Sequence, residues 1–364
     1  MSWLWVFIGF CLLIVLHEAG HFFAAKATGM RVERFFLFFG PTIWSFKRGE
    51  TEYGVKAIPL GGYVKITGMN PEEEVPPEHE ANAYFRKPVW KRIVVVAAGP
   101  AVNIVLAFAI LFAVFAFSSV EEGTRAIERV VPKSPAVGLL KPGDEILAVD
   151  GSYYRNLDAE GRIEKFREEI GSHACPGKPK DGCEAATPVK LTIQRGDRTL
   201  VVPVRPRYDD AAQQTLVGFG FGSRKVDLTP AEATDRATGA IWEVVTGTAH
   251  VFTHLFEKEQ REQVSGVVGI SDAGHQVVEQ SLQRALLLLA LVSLSLGLVN
   301  LLPILPLDGG HIFWALVEKV RGRPVSLRVM ERATAVGIAL VLMLFFLGLS
   351  NDIGRITGEG FQVR

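Results

Sequence analysis

The sequence predicts a polytopic α-helical membrane protein, with four transmembrane helices and an inserted extracytoplasmic α+β domain. Three observations support this fold class: four long apolar runs, basic residues concentrated in two of the segments that connect those runs, and a long polar stretch after the second run. The 364 residues carry 39 basic and 39 acidic side chains, and 48% of them are hydrophobic. This composition excludes a disordered chain, and three cysteines are too few for a disulfide-rich scaffold.

Four apolar runs approach or exceed the roughly 18 to 20 residues that cross a bilayer core. They are Trp3 to Leu16, which continues to Phe23, then Ile93 to Phe117, Ala285 to Leu307 and Ala333 to Asn351. The last three runs contain no Asp, Glu, Lys or Arg. Buried helices of a large soluble core are the alternative, but three uncharged runs of this length favour membrane spans.

The basic residues predict how these spans are oriented. Residues 2 to 16 contain no Lys or Arg, whereas eleven lie in residues 26 to 92 and five in the connection 319 to 332. By the positive-inside rule those two segments are cytoplasmic, so the N-terminus and residues 118 to 284 are extracytoplasmic. The net charge of zero gives no reason to expect a nucleic-acid partner.

A charged motif interrupts the first apolar run, and it reads His17-Glu18-Ala19-Gly20-His21. Charged groups at mid-bilayer cost roughly 2.5 to 3.5 kcal/mol each, so this motif needs a functional reason. Residues four apart lie on one face of a helix, and two imidazoles at that spacing bind zinc. Glu18 beside them is placed to take a proton from water. The alternative is a pair of histidines that pack against or cap the helix.

A catalytic zinc ion uses three protein ligands, and the end of the third run offers the one that is missing. Asp308 is the only carboxylate in residues 300 to 310, and it ends this run on the same side of the membrane as His17 and His21. Pro303 and Pro306 break the helix before it, and non-helical backbone at this depth lines a cavity or water. The alternative is that Asp308 only caps a helix.

Together these motifs resemble the site-2 protease family of intramembrane zinc metalloproteases, in particular the bacterial regulator-of-sigma-factor proteases. The matching pieces are His17 to His21, Pro59-Leu60-Gly61-Gly62-Tyr63-Val64, Ala98-Gly99-Pro100 with Asn103, and Asn300 with Leu307-Asp308-Gly309. The resemblance implies that His17, His21 and Asp308 bind Zn²⁺ and that Glu18 is the catalytic base. It also implies a bacterial plasma (inner) membrane location, with the active site toward the cytoplasmic side.

The resemblance also bears on substrate binding. In the resembled family residues 31 to 66 form a cytoplasmic, membrane-dipping β-hairpin region, whose edge accepts a substrate segment as an added strand. Gly61 and Gly62 are therefore candidate substrate-binding residues, and Asn300 is a candidate hydrogen-bond donor to the substrate or the developing oxyanion. The implied substrates are single-span membrane proteins, such as an anti-sigma factor already cut outside the membrane, or remnant signal peptides.

Residues 118 to 207 predict one compact extracytoplasmic domain. Its elements are a strand within 135 to 151, a helix over 157 to 170, and strands over 189 to 195 and 199 to 204. The pattern resembles a PDZ domain, which binds extended peptides such as a newly exposed carboxyl terminus. A spacer without a ligand is the alternative. The predicted organisation is 1–117 with two spans, 118–207 as the PDZ domain, 208–284 as an amphipathic linker and 285–364 with two spans.

Two further features lie in the extracytoplasmic segment. Cys175 and Cys183 flank a Gly- and Pro-rich insertion, and outside the cytoplasm they form either a disulfide or two free thiols. Residues 229 to 256 have helical periodicity, which predicts an amphipathic helix on the outer membrane surface.

Three alternatives to intramembrane proteolysis differ from it in the features that the sequence should contain. A membrane metalloprotease that degrades exposed misfolded segments would not need Asn300 or a broken third span. A zinc transporter would have polar groups along a whole path, whereas here they gather at one depth. A catalytically inactive scaffold is disfavoured by the intact set of His17, Glu18, His21 and Asp308.

Overall fold

The structure, a computed structural model, describes residues 2–70, 73–253 and 281–357 and divides into two compact units. Unit 1 comprises Met1–Ala116 and Thr229–Arg364, and unit 2 comprises Phe117–Leu228. The helices, numbered in chain order, are α1 (Ser2–Ala27), α2 (Pro77–Glu80), α3 (Val89–Phe117), α4 (Ala159–Ser172), α5 (Pro230–Thr253), α6 (Leu282–Asn300), α7 (Asp308–Arg321) and α8 (Leu327–Thr357). The strands are β1 (Val32–Arg48), β2 (Thr51–Ile66), β3 (Val120–Val130), β4 (Glu145–Val149), β5 (Val189–Arg195), β6 (Arg198–Val204), β7 (Arg207–Asp209), β8 (Gln214–Leu216) and β9 (Phe219–Val226).

Among the described residues, four helices are long and apolar enough to cross a membrane, and they confirm the four predicted spans. The candidate spans are Phe7–Ala27 in α1, Val89–Phe117 in α3, Leu282–Asn300 in α6 and Leu327–Gly354 in α8. Large apolar side chains face outward along them, with Val105 66% exposed and Phe346 61% exposed. Such an apolar surface suits contact with lipid. The backbone polar groups also suit it, because they are hydrogen-bonded within each helix.

The third span is shorter than its apolar run. Helix α6 ends at Asn300, and residues 301 to 307 form turns before α7 begins at Asp308. Pro303 and Pro306 lie in this connection, where each lacks the N–H that would continue a helix. The predicted break in the third span is therefore confirmed, and it leaves Asp308 at a helix start.

Glycines bring α1 and α6 close to α3. A Cβ atom on Gly20 of α1 would lie 2.6 Å from the carbonyl oxygen of Ala98, and one on Gly297 of α6 would lie 3.1 Å from that of Pro100. Small residues at such crossings let helix backbones approach closely in membranes. Helix α3 thus contacts both the helix that carries the two histidines and the helix that leads to Asp308.

A buried ion pair joins α3 to α7. Arg92 donates hydrogen bonds of 3.0 and 2.6 Å to the two carboxylate oxygens of Glu318, and it is only 8% exposed. Its guanidinium also lies 5.6 Å from the ring of Tyr84, whose pKa is raised by burial to about 12. A bidentate pair restricts geometry as well as supplying energy, so this contact fixes the direction of the helix that begins with Asp308.

Strands β1 and β2 form a sheet in unit 1. They pair antiparallel, starting at the turn between Arg48 and Thr51. Both strands bend, so that Phe36 of β1 has two partners in β2, Tyr63 on one side and Gly54 on the other. Residues 34 to 37 of β1 therefore lie between two segments of β2, and residues 62 to 66 of β2 lie at an edge of the sheet. The side chains of Ile43 and Trp44 on the other half of β1 are 70% and 59% exposed.

Unit 2 is an α+β unit with a five-stranded sheet in the order β6-β5-β4-β3-β9 and a separate β7–β8 hairpin. Strands β4, β5 and β6 and helix α4 lie where the sequence predicts them. Phe166 of α4 is fully buried in a core with Ile146, Leu191 and Ile193. Cys175 and Cys183 form a disulfide.

The boundary of unit 2 differs from the expected one at residue 207. The unit extends to Leu228, because β9 pairs along β3 from Phe219 opposite Val130 to Val226 opposite Val120. Strand β9 thus takes an edge of the sheet that the sequence assigned to a linker. The assignment of this unit to the PDZ fold stays a prediction.

Helix α5 begins the segment predicted to lie on the outer membrane surface. Ala233 and Ala237 are fully buried, and Ala237 packs with Leu111 of α3 and Ala290 of α6. This helix therefore packs against other helices of unit 1, because its alanines allow close contact. The rest of the predicted linker, residues 254 to 280, lies outside the described residues.

Candidate metal centre

Helix α1 places His17 and His21 one turn apart with their Nε2 atoms together. These two atoms are 3.2 Å apart, and the rings stand edge to face with centroids 4.9 Å apart. Both imidazoles are largely buried, with His17 8% exposed. The four-residue spacing predicts this shared face, and the helix delivers it.

Asp308 completes a cluster with the two histidines. Its Oδ2 atom lies 3.3 Å from Nε2 of His17 and 3.3 Å from Nε2 of His21. The two following glycines allow the approach, because a Cβ on Gly309 would lie 2.1 Å from the carbonyl oxygen of Leu301 and one on Gly310 would lie 2.5 Å from the amide nitrogen of Leu305. Only residues without a side chain fit at this turn.

The cluster fits a zinc ion in both chemistry and size. Two imidazole nitrogens and one carboxylate oxygen are a donor set that catalytic zinc sites use, with a fourth position left for water or substrate. Ligand atoms bound to tetrahedral zinc at about 2.0 to 2.1 Å are about 3.3 to 3.4 Å from one another. The three measured separations of 3.2, 3.3 and 3.3 Å match that edge length.

The outer nitrogens of both histidines face helix α3. Nδ1 of His21 donates to the carbonyl oxygen of Val95 at 2.9 Å, and Nδ1 of His17 lies 3.2 Å from the side-chain amide of Asn103. A Cβ atom on Gly99 would lie only 2.2 Å from Nε2 of His21, so the ring occupies the space above that glycine. Contacts of this kind orient histidine ligands.

Glu18 lies between the two histidines and the edge of the sheet. A Cβ atom on Gly62 would lie 2.9 Å from Cγ of Glu18 and 3.1 Å from the carbonyl oxygen of Phe36. The carboxylate is thus held beside the strand edge formed by residues 62 to 66. Of the two predicted substrate-binding glycines, Gly62 contacts Glu18, whereas Gly61 has a φ of 90° and faces Phe39.

Asn300, the remaining predicted residue, and His311 have no hydrogen bond to the cluster among the described residues. Asn300 is the last residue of α6, partly exposed, and within the described residues it makes no hydrogen bond to the three clustered side chains. His311, one turn after Asp308, lines a cavity of about 690 Å³. This cavity lies along the edge strand, the connection before α7 and the first turns of α8, and its lining includes Tyr63, Val64, Lys65, Ile66, Leu305, Pro306, His311, Met330 and Thr334.

Comparison with known proteins identifies the family of the chain. The model of Peptidase family M50 matches residues 5–344. The chain belongs to this family. The site-2 protease resemblance deduced from its motifs is thereby confirmed.

Several M50 relatives cover almost the whole chain. Zinc metalloprotease Rip1 of Mycolicibacterium smegmatis is 31% identical over 93% of this chain and 94% of its own length. Zinc metalloprotease Rip1 of Mycobacterium tuberculosis is 30% identical with the same coverage, and Metalloprotease MmpA of Caulobacter vibrioides is 28% identical over 94% of this chain and 93% of its own length. This M50 protein is therefore a zinc metalloprotease, and its cofactor is Zn²⁺.

Sequence reasoning did not assign a role to the residues of α3 that face the histidines. Val95 acts through its backbone, and Gly99 through the absence of a side chain, so neither carries a signal of its own. Asn103 does carry one, because a buried amide in an apolar span is costly and marks a functional position. Asn103 is fully buried in the structure.

Proposed function

We propose that this M50 metalloprotease hydrolyses peptide bonds in the membrane-embedded segments of other membrane proteins. One observation carries the proposal: the histidine pair belongs to a candidate span, Phe7–Ala27, and Asp308 meets it from the end of a broken third span. A peptidase centre at this place serves substrates that are in the bilayer. The peptidase centre then meets the substrate backbone in the bilayer, where the protein has to admit the water that hydrolysis consumes.

In this proposal His17, His21 and Asp308 hold the zinc ion and Glu18 is the general base. Zinc in such a site supplies a Lewis acid that polarises the scissile carbonyl and makes water more acidic. Glu18 takes a proton from the attacking water and passes it to the leaving nitrogen. Gly62 of the strand edge lies beside Glu18, so the base is close to the place where the scissile bond would lie.

We place the substrate on the edge of β2. A helical substrate has its carbonyl groups hydrogen-bonded within the helix, so it has to unwind before cleavage. Residues 62 to 66 offer backbone donors and acceptors that replace the lost bonds in an added strand. Gly62 suits this role because the absence of a side chain leaves room for Glu18 beside the strand. Asn300 is kept as a candidate donor to the substrate or the oxyanion.

The proposed orientation places unit 2 outside the cytoplasm and the metal centre toward the cytoplasmic side of a bacterial inner membrane. The basic residues in 26 to 92 and 319 to 332 support it through the positive-inside rule. The disulfide between Cys175 and Cys183 also supports it, because structural disulfides belong to oxidising compartments. Unit 2, as a PDZ domain, would bind an extended peptide end, such as a newly exposed carboxyl terminus.

The proposed substrates are single-span membrane proteins, with a membrane-spanning anti-sigma factor as the leading class and remnant signal peptides as the second. Both present a single helix that a lateral approach can bring to the edge strand. The family resemblance supports this choice of substrate.

A cleavage assay with purified protein tests the function. Two reporters carry the same scissile sequence, one within a transmembrane helix and one in a soluble loop, and both are assayed with and without a zinc chelator. We expect chelator-sensitive cleavage of the membrane-embedded reporter. Cleavage of the loop reporter alone would instead indicate a protease for exposed segments.

Glu18→Gln tests the base within the same assay. The substitution removes a proton acceptor but keeps the size of the side chain, so we expect zinc to be retained while cleavage falls by about 10² to 10⁴. Glu121→Gln on β3 of unit 2 is the matched control and should cleave at the wild-type rate. Full activity of Glu18→Gln would remove the base assignment, and an unchanged zinc content in Asp308→Ala would remove the third ligand.

A further inference from the structure

Asn103 of α3 has an incomplete set of hydrogen bonds. It is fully buried, and its Nδ2 atom lies 3.2 Å from Nδ1 of His17. Its side-chain oxygen, Oδ1, has no hydrogen-bond partner among the described residues. A buried amide oxygen without a partner is uncommon in proteins and needs an explanation.

The protonation pattern of His17 supplies that explanation. Nε2 of His17 faces Nε2 of His21 and Oδ2 of Asp308, so Nε2 is the nitrogen whose lone pair a metal ion would take. A neutral imidazole that offers Nε2 as a lone pair carries its proton on Nδ1. Nδ1 then needs a hydrogen-bond acceptor, and an amide NH₂ group cannot be one.

His21 shows the arrangement that meets this need. Its Nδ1 atom donates to an oxygen, the backbone carbonyl of Val95, at 2.9 Å. Val95 and Asn103 lie two turns apart on α3, so the same helix faces the outer nitrogens of both histidines. For His17 the side-chain oxygen of Asn103 is the corresponding acceptor at this contact.

We propose that Asn103 is a positioning residue of the metal centre, whose Oδ1 atom accepts the Nδ1 proton of His17 and so directs Nε2 toward zinc. The two ends of an amide have nearly the same shape, so a half-turn of the group exchanges Oδ1 and Nδ2 without moving any neighbour. That half-turn gives Oδ1 the hydrogen bond from Nδ1 of His17 and moves Nδ2 to the position that Oδ1 occupied. The inference rests on the proposed ligand set and adds a fourth residue that orients it.

The backbone around Asn103 is held so that this contact is possible. Oγ of Ser293 in α6 donates to the carbonyl oxygen of Asn103 at 2.9 Å, and Ser293 is itself fully buried. A Cβ atom on Gly297 would lie 3.4 Å from Cβ of Asn103, so α6 packs closely against this part of α3. The amide therefore has little freedom except rotation about its own terminal bonds.

Two substitutions separate the acceptor from the shape of the side chain. Asn103→Asp keeps an oxygen acceptor and loses the NH₂ group, whereas Asn103→Leu keeps a similar volume and loses both. The readout is zinc retention during titration with a competing chelator. We expect Asn103→Leu to lose zinc at a chelator concentration about 10- to 100-fold lower than wild type, and Asn103→Asp to retain zinc at least as well as wild type.

Thermal unfolding identifies any variant that has lost its fold, and Thr246→Ala, at an exposed position of α5, should keep wild-type zinc retention. Equal retention by folded Asn103→Leu and wild type would overturn the proposal. Equal loss from folded Asn103→Leu and Asn103→Asp would also overturn it, because the acceptor would then not matter.

A measurement on the wild-type protein keeps the proposal testable whatever the variants do. Nitrogen-15 NMR of histidine-labelled, zinc-loaded protein distinguishes a protonated ring nitrogen from a metal-bound one. We expect His17 to show a protonated Nδ1 and a metal-bound Nε2. A metal-bound Nδ1 would overturn the role of Asn103 while leaving His17 a ligand, whereas unchanged zinc affinity of His17→Ala would overturn the ligand set itself.

Discussion

Gly99 is the residue on which the position of the His21 ring most directly depends. A Cβ atom at this place would lie 2.2 Å from Nε2 and 2.6 Å from Cε1 of His21, far inside contact distance. Gly99→Ala must therefore move the imidazole or separate α1 from α3. We expect the zinc affinity of this variant, measured by chelator competition, to fall by at least about tenfold.

Gly239→Ala on α5 is the matched control for Gly99→Ala. It adds the same methyl group to a helix of unit 1, and nothing lies within 4 Å of the added atom. Zinc affinity should therefore be unchanged. Because alanine has a higher helix propensity than glycine, the stability should be equal or slightly higher. Wild-type zinc affinity in Gly99→Ala would show that the ring does not lie over residue 99.

The metal cluster shows which residues a sequence predicts at this scale. His17, Glu18 and His21 follow from helical periodicity within one short segment, which needs no tertiary information. Asp308 follows from being the only carboxylate near the end of a run that ends on the same side of the membrane. The contacts of Val95, Gly99 and Asn103 could not be derived in this way, because packing decides which face of α3 turns toward α1.

At the scale of elements, the spans were predicted better than the strands of unit 2. A membrane span is specified by local composition, and all four appear. Strand β9 was missed because Gly220 and Gly222 interrupt its apolar pattern, and because its partner β3 lies about a hundred residues earlier in the chain. Glycine in a strand weakens the sequence signal even where the strand pairs well.

An ion pair between the start of β4 and the end of β5 predicts how unit 2 responds to acid. Arg195 donates hydrogen bonds of 2.7 Å to each carboxylate oxygen of Asp144, whose side chain is 2% exposed. These hydrogen bonds, together with the backbone amide of Lys141, hold the pKa of Asp144 below its usual value. The carboxylate form therefore stabilises the fold at every pH above the usual aspartate pKa of about 3.9.

This stabilisation is lost as the pH falls below about 3.9 and through the lower pKa that Asp144 has in the folded state. We expect Asp144→Asn to reduce the free energy of unfolding of unit 2 by about 2 to 3 kcal/mol at pH 7 and to flatten the decline in strong acid. Urea denaturation of the full chain, followed by hydrogen exchange in residues 145 to 195, measures both. An acid response identical to wild type would exclude Asp144 as its source.

At the scale of the whole molecule, the proposed orientation divides the chain between the two sides of a membrane. The candidate metal centre lies in unit 1, which also carries the two basic segments that the proposed orientation places in the cytoplasm. Unit 2 carries the disulfide. A disulfide on one segment and clustered Lys and Arg on others agree with the proposed orientation.

Labelling of single cysteines tests this orientation. In a Cys11→Ser background Cys175 and Cys183 are oxidised and do not react, so a new cysteine is the reactive thiol. Arg155 and Arg323 are both exposed, the first in unit 2 and the second between α7 and α8. On intact cells a membrane-impermeant maleimide should label Arg155→Cys fully and should label Arg323→Cys only after the membrane is permeabilised. The reverse pattern would place five basic residues of 319 to 332 outside, against the positive-inside rule, and would move the peptidase centre to the outer side of the membrane.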